Sequence, residues 1–425
     1  MNVLLLGSGG REHAIAWSIA KSPLLTELFI APGNPGTAQF GKNISLDVLD
    51  NEAIVTFCSE CDIDLMIVGP EAPLVNGVHG AILNDSRTKD ITVIGPQKLG
   101  AMLEGSKDFS KQFMLRHDVP TAAYQTFDAK TLAEGLSFLE TLSSPYVLKC
   151  DGLAAGKGVL IEPTLEKAKA SLKHILEDGS FGEAGAKVVI EEFLDGVELS
   201  VFILTDGADY LLLPTAKDYK RIGEGDTGLN TGGMGALSPA PVADEAFMQK
   251  VKEKVIARSL TGLQQEGIPY KGFLFIGLMR VGDEPYVIEY NVRMGDPETE
   301  AVLPRIESDL LGHFIALGKG SLSQEKMVIT ENTSCTVMMV SGGYPESYSK
   351  GHPIKGLEQV GPESMVFHAG TREENGQIVS HGGRVLTVTS VAKDLSSALE
   401  NSYKNIGKIR FSDCYYRKDI GYELN

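Results

Sequence analysis

Tyr286-Val287-Ile288-Glu289-Tyr290-Asn291-Val292-Arg293 runs straight into Met294-Gly295-Asp296-Pro297-Glu298. Side chains alternate across an extended strand, so Val287, Glu289, Asn291 and Arg293 should share one face, with Tyr286, Ile288, Tyr290 and Val292 on the other. One face reads as core, the other as polar. A carboxylate and an amide oxygen two positions apart are the hard ligands that magnesium takes when it also holds phosphate oxygens and water. A solvated sheet edge is the alternative, but it does not call for the Gly-Asp-Pro-Glu turn that follows. The apolar run 272–281 is the expected hairpin partner, joined through Gly282-Asp283-Glu284-Pro285. A helix over 244–266 should precede it.

Further upstream, Asp218-Tyr219-Lys220-Arg221 leads into a glycine-dense polar segment, 223–235, expected to lack regular structure. Two cations, several carboxylates and a mobile backbone suit a lid that closes over an anionic intermediate and excludes water. A disordered surface loop is the alternative. Strands are expected at 188–192, 198–204 and 210–213. Between the first two, Glu191-Glu192-Phe193-Leu194 and Glu198 form a hinge that can offer backbone groups to a purine edge and a carboxylate to ribose hydroxyls.

Asp151-Gly152-Leu153-Ala154-Ala155-Gly156-Lys157-Gly158 separates expected strands 146–149 and 159–162. It offers backbone donors beside a lysine, a cover for a polyphosphate. It is not a Walker A loop: Gly152 and Gly156 are too close, and Gly158 follows the lysine where Ser or Thr is required. Lys149 can point into the same cavity, unless it merely snorkels at the surface. A helix from Ser106 to about His117 precedes this second, α+β core.

The first hundred residues read differently. Strands at 3–6, 28–31, 65–68 and 92–94 each end in a glycine or proline turn, as in a parallel sheet covered on both faces. Ligands bind outside the carboxyl ends of such strands, so the four turns should line one crevice. Gly7-Ser8-Gly9-Gly10-Arg11-Glu12-His13 opens a helix and could hold a phosphate on its backbone N–H groups, or be a plain turn. Glu12 stands where the dinucleotide fingerprint needs a third glycine, and no acidic residue ends the second strand, which disfavours a nicotinamide dehydrogenase. From about 334 a separate small α/β unit is expected, with strands near 336–340, 365–369 and 385–390. The expected domains are 1–103, 104–325 (with 120–195 forming one half of a clamp) and 326–425.

Composition bounds the function. The chain has 425 residues, enough for several cores, and 39 basic against 56 acidic residues give a net charge of −17. That balance argues against general affinity for nucleic acid or anionic membranes. Anionic substrates would need locally concentrated positive charge. No apolar run reaches the roughly 18 residues that span a bilayer. The amino terminus lacks a basic leader, and the five cysteines are sparse, so a cytoplasmic protein is expected. Cys58 and Cys61 form the one close pair. They read as small residues on a helix starting near Asn51 rather than as a redox or metal site.

Taken in order, GSGGREHA (7–14), PGNPGT (32–37), GPEAPL (69–74), 151–159, NTGGMG (230–235) and RMGDPE (293–298) resemble the phosphoribosylamine–glycine ligase family over nearly the whole chain. The resemblance implies an α/β and α+β multidomain protein of ATP-grasp fold, with an N-terminal Rossmann-like parallel-sheet domain and a small C-terminal α/β domain. It implies that ATP, glycine and 5-phosphoribosylamine give glycinamide ribonucleotide, ADP and phosphate in de novo purine synthesis. A carboxylate resists an amine because its charge repels the nucleophile and oxide cannot leave; phosphorylation to glycyl phosphate removes both obstacles.

By the same resemblance, Glu289 and Asn291 hold Mg2+ or Mn2+. Lys107, Lys149, Gly152, Gly156 and Lys157 contact the nucleotide, and Glu191, Leu194 and Glu198 bind adenosine. Arg293 stabilises the transferring phosphoryl group, with Lys149 and Asp218 also catalytic. Asp218, Lys220 and Arg221 handle glycine or phosphoribosylamine, and Gly9, Gly10, Arg11 and Asn34 the ribose phosphate. The partners are small molecules, with neither nucleic acid nor membrane, and the chain is expected to be monomeric and monofunctional. Another ATP-grasp carboxylate–amine ligase or carboxylase of purine metabolism is the nearest alternative, and a nucleotide-binding regulatory protein without turnover the second.

Overall fold

The computed structural model describes residues 1–154 and 158–424. Gly156 and Lys157 lie outside the described residues.

Val3, Leu4, Leu5 and Leu6 are all fully buried, the mark of a strand covered on both faces. Asn2–Gly7 pairs in parallel with Glu27–Pro32 on one side and Leu65–Val68 on the other. Thr92–Ile94 and the short Lys42–Asn43 complete a five-stranded sheet. Lys42–Asn43 was not expected; two polar residues carry no strand pattern, and only their register with Phe29 and Ile30 defines them. Cys58 sits on the helix Asn51–Glu60, as read, with Cys61 at its C-cap.

The middle of the chain builds two antiparallel sheets. One has the order Tyr124–Asp128, Lys187–Glu191, Tyr146–Cys150, Val159–Glu162. The other runs Tyr210–Leu212, Val197–Thr205, Gly272–Val281, Glu284–Asn291. The expected helix over 244–266 is present as Glu245–Val251 and Ala257–Gln265, joined by a π-helical turn at Lys252–Ile256.

The alternation expected from 286 to 293 breaks once. Gly277 pairs with Glu289 and Leu278 with Val287, which leaves Ile288 as an extra residue, a β-bulge. A bulge turns over every side chain before it. Val287, expected on the polar face, is therefore buried in the core with Tyr290 and Val292, while Ile288 meets the cavity. Glu289, Asn291 and Arg293 lie beyond the bulge and keep their common cavity-facing side.

One further expectation is corrected. Segment 223–235 is not irregular: Arg221–Gly223 and Thr227–Asn230 form a hairpin. Gly225 and Asp226 supply the left-handed turn, with φ of 63° and 52°. The carboxyl-terminal segment tethers it, since the Arg417 Nη1 lies 2.5 Å from Asp226 Oδ1 and Asp419 Oδ2 accepts the Gly225 N–H at 2.7 Å. The tail's core is built on a sheet shared with the middle of the chain. Its sheet runs Lys217–Asp218, Gly235–Ser238, Thr333–Val340, Arg384–Ala392, Ser364–His368, with strands from both sides of position 325. Among the described residues no helix is long and apolar enough to cross a membrane.

Candidate active site

Five of the six quoted motifs, all but 32–37, contribute to one cavity of about 810 Å³, within the range that encloses a small-molecule ligand. Glu289, Asn291 and Arg293 come from the end of the bulged strand. Lys149 comes from Tyr146–Cys150, and Lys107 and Lys111 from the helix Lys107–Arg116. That helix starts where it does because Ser106 accepts the Phe109 N–H at 3.1 Å and Asp151 accepts the Asp108 N–H at 2.8 Å. Asp151, the first residue of the glycine loop, thus fixes the base of both helix lysines.

Burial would raise the Glu289 carboxyl, but Lys220, Lys149, Lys107 and Arg293 together hold it below the usual carboxylate range. It is a charged oxygen donor inside a ring of cations. Asn291 is buried with its Nδ2 unpartnered, which leaves Oδ1 as the end of the amide that meets the cavity. An ionised carboxylate beside a free amide oxygen fits a hard divalent cation.

Lys149 Nζ lies 3.0 Å and Lys111 Nζ 3.2 Å from the same oxygen, Glu191 Oε2. Lys149 also donates to the Ile288 carbonyl at 3.2 Å, so the bulge residue helps aim it. Burial lowers the Lys111 ammonium to about 8, with Lys149 adding to the effect and Glu191 opposing it. Glu191, read as a ribose contact, has one carboxylate oxygen committed to these lysines and the other buried without a partner. Leu194 and Glu198 line the cavity as read.

Across the cavity, Lys220 is ion-paired with Glu198. Burial opposes its charge, but Glu198, Glu289 and Asp218 raise it overall. Asp218 is pushed well above the carboxylate range by burial and by Glu298, despite Lys220 and Arg384, and its Oδ1 has no partner. Arg221 lines the cavity while donating to the Gly228 carbonyl at 2.8 Å.

The amino-terminal assignments fare differently. The Gly9 N–H donates to Glu12 Oε2 at 2.6 Å and the Arg11 N–H to Asp296 Oδ2 at 3.3 Å. The anion preference of this helix N-terminus is therefore already met by the chain's own carboxylates. Gly9 and Gly10 do not line the cavity; Arg11 does, its guanidinium held by Glu12 Oε1 at 2.6 Å. Asn34 is likewise turned inward. Its Nδ2 donates to the Ser8 and His368 carbonyls at 2.8 Å each, and its Oδ1 accepts the Gly36 and Thr37 N–H groups. Gly152 is outside the lining too, its N–H donating to the Ala184 carbonyl at 3.1 Å. Of the four turns expected in one crevice, the Pro32–Gly36 turn packs on His368, and Gly95 bonds to the Lys271 carbonyl at 2.9 Å.

Among the charged lining residues that sequence reasoning missed are Glu71, Glu104, Lys111, Glu298 and Arg384. Lys111 follows Lys107 by one helical turn, and that spacing could have found it. Glu71 and Glu298 stood inside quoted motifs. Arg384 comes from the tail, and nothing in its neighbours marks it.

Residues 1–104 match the phosphoribosylglycinamide synthetase N domain, 105–299 its ATP-grasp (A) domain and 334–423 its C domain. The chain belongs to the phosphoribosylglycinamide synthetase family. Within that family it is 44% identical to the phosphoribosylamine–glycine ligase of Agrobacterium fabrum over 423 residues, covering 100% of this chain and 98% of the relative. It is 46% identical to that of Mesorhizobium japonicum over 424 residues, with the same coverage. The crystal structure of the Thermotoga maritima phosphoribosylamine–glycine ligase superposes with a TM-score of 0.86 at 32% identity, over 99% of this chain and 100% of that one. A biotin carboxylase from Campylobacter jejuni gives a TM-score of 0.74 at 14% identity over 100% and 94% of the two chains, a likeness of fold alone. The fold is thus ATP-grasp with an N-terminal parallel-sheet domain.

Proposed function

We propose that this cavity joins glycine to 5-phosphoribosylamine through glycyl phosphate, releasing ADP and phosphate. The ligation is the family's activity, a carbon–nitrogen bond made with ATP in de novo purine biosynthesis. One observation carries the residue assignments: an ionised Glu289 ringed by Lys107, Lys149, Lys220 and Arg293, beside the free oxygen of Asn291.

Glu289 and Asn291 are the residues that would hold Mg2+ or Mn2+, which supplies charge neutralisation on the phosphates of ATP. The protein's own part is to place groups and balance charge. Lys107 and Lys149 position the phosphates, with Lys149 aimed by Glu191. Leu194 and Glu198 border the nucleoside. A carboxylate oxygen of glycine attacks the γ-phosphorus and ADP leaves, with Arg293 stabilising the charge on the transferring group. The Arg221–Asn230 hairpin shields the resulting acyl phosphate from water. The amine of phosphoribosylamine then adds to the carbonyl and phosphate departs, carrying the former carboxylate oxygen. Asp218, whose carboxyl burial makes a stronger proton acceptor when ionised, is suited to take the proton released as the amine adds. Arg11, alone of the amino-terminal set, faces the ribose phosphate.

The test is ADP release with glycine present and phosphoribosylamine supplied or withheld, with alanine and sarcosine as competitors. Sustained turnover should require both substrates. Equal ADP release without the ribosylamine, or with bicarbonate in place of glycine, overturns the substrate assignment.

A further inference from the structure

Arg293 does not hold itself in place. Its Nη2 donates to Glu104 Oε1 at 2.6 Å, and its Nε reaches Glu71 Oε2 at 3.3 Å. Glu104 does more than pair a charge. Its second oxygen accepts the Val292 N–H at 2.8 Å, so one carboxylate grips both the guanidinium and the backbone immediately before it. This happens where the strand has ended at Asn291 and the Val292 N–H has left the ladder. Glu104 comes from another part of the fold, the helix Lys98–Gly105, and is itself only 9% exposed.

A side chain with two fixed acceptors on a rigid helix removes rotational freedom from a long arginine. Glu71, 27% exposed and bonded at longer distance, is the weaker hold. We infer that Glu104 is a positioning residue for the ligation, acting through Arg293 by fixing the angle at which the guanidinium enters the cavity.

The surroundings support this. Burial is the largest influence on Glu104 and raises its carboxyl to about 7; Glu71 adds to the rise, and Arg293, the Val292 N–H and Arg11 oppose it. A carboxylate made for stability alone is poorly placed at such a site, since burying a charged pair gains little over an apolar one. Tyr270, the other titratable group close by, donates its hydroxyl to the Phe273 carbonyl at 2.7 Å and leaves Glu104 to its two partners.

The inference rests on the reading that Arg293 acts on the transferring phosphoryl group, and the test separates the two. Steady-state rates and melting temperatures are compared for Arg293→Ala, Glu104→Ala, Glu104→Gln and the double alanine variant. We expect Glu104→Ala to lower kcat by about a hundredfold, the scale of an ångström-sized misplacement of a reacting group, with KM for ATP and glycine within about threefold of wild type. Glu104→Gln, which keeps an acceptor for the Val292 N–H, should recover part of kcat. On the Arg293→Ala background, Glu104→Ala should cost almost nothing further, because the residue through which it acts is gone. If Arg293→Ala retains full turnover, the role of Arg293 fails, and this inference with it. If Arg293→Ala is impaired but Glu104→Ala is not, or if the two losses simply multiply in the double variant, only the positioning role falls. A loss in Glu104→Ala that tracks a collapsed melting temperature and is not relieved in Glu104→Gln also overturns it.

Discussion

Arg384 Nη2 lies 2.9 Å from Asp296 Oδ1, and its Nη1 donates to the Asp296 carbonyl at 2.5 Å and to the Gly232 carbonyl. Asp296 in turn accepts the Arg11 N–H at 3.3 Å. One guanidinium from the tail therefore ties the turn after the candidate metal ligands to the hairpin segment and, through Asp296, to the amino-terminal helix. Removing it leaves the largely buried Asp296 carboxylate with the Arg11 N–H alone. Arg384→Ala should lose about 1–3 kcal/mol of stability, measured by urea unfolding, and should turn over more slowly. A variant with wild-type midpoint and wild-type kcat would show that this clamp does nothing.

Glu300 is fully buried with both carboxylate oxygens unpartnered, and burial, reinforced by Asp296 and Glu298 against Arg384, raises it well above the carboxylate range. The unfolded carboxyl ionises near pH ~4.3 while the folded one keeps its proton. Its contribution to stability is full below that pH and is lost as pH rises toward and through the folded value. Glu300→Gln cannot ionise in either state. Its thermal midpoint should exceed wild type at pH 8, and the gap should close toward pH 4. A constant gap across that range, or a lower midpoint at pH 8, contradicts the assignment.

The shared oxygen of Glu191 makes a third expectation. Glu191→Gln leaves Lys111 and Lys149 without their common counter-charge, and Lys149 loses one of the two bonds that aim it. KM for ATP should rise by about tenfold, the loss of one charged hydrogen bond, with a smaller change in KM for glycine. Equal effects on both substrates would deny Lys149 its place beside the nucleotide.

Why these sites were only partly legible is a matter of range. Glu289, Asn291 and Arg293 were readable because a strand's alternation is local, yet Val287 was misplaced by a bulge at Ile288 that only the register with Gly277 and Leu278 reveals. The hairpin of 221–230 hid behind its glycines, although Gly225 and Asp226 are good turn residues. Gly9 and Gly10 stand outside the cavity lining partly for a local reason, Glu12 taking the Gly9 N–H, and partly for one no local pattern contains: Asp296, far along the chain, arrives at that helix N-terminus. Arg384 was invisible for the same reason, since its partners are assembled by the shared sheet.

Gly233 sits at φ +116° in the segment between the hairpin and Gly235–Ser238; a Cβ there would crowd Pro297 and stand 2.8 Å from Asp218 Oδ1. Gly233→Ala is strained in backbone and in space. It should retain the fold by circular dichroism while losing at least about tenfold in kcat/KM for glycine, the cost of pushing Asp218 off its position. Normal kinetics in a folded variant would remove Asp218 from the substrate site.

The central claim is that ATP activates glycine's own carboxylate. Glycine labelled with 18O in both carboxylate oxygens, turned over with ATP and phosphoribosylamine, reports on it directly by mass spectrometry of the inorganic phosphate. The phosphate should carry one 18O from each glycine consumed, with the other retained in the amide product. Unlabelled phosphate with both labels lost to water or kept elsewhere would mean that no acyl phosphate forms in this cavity.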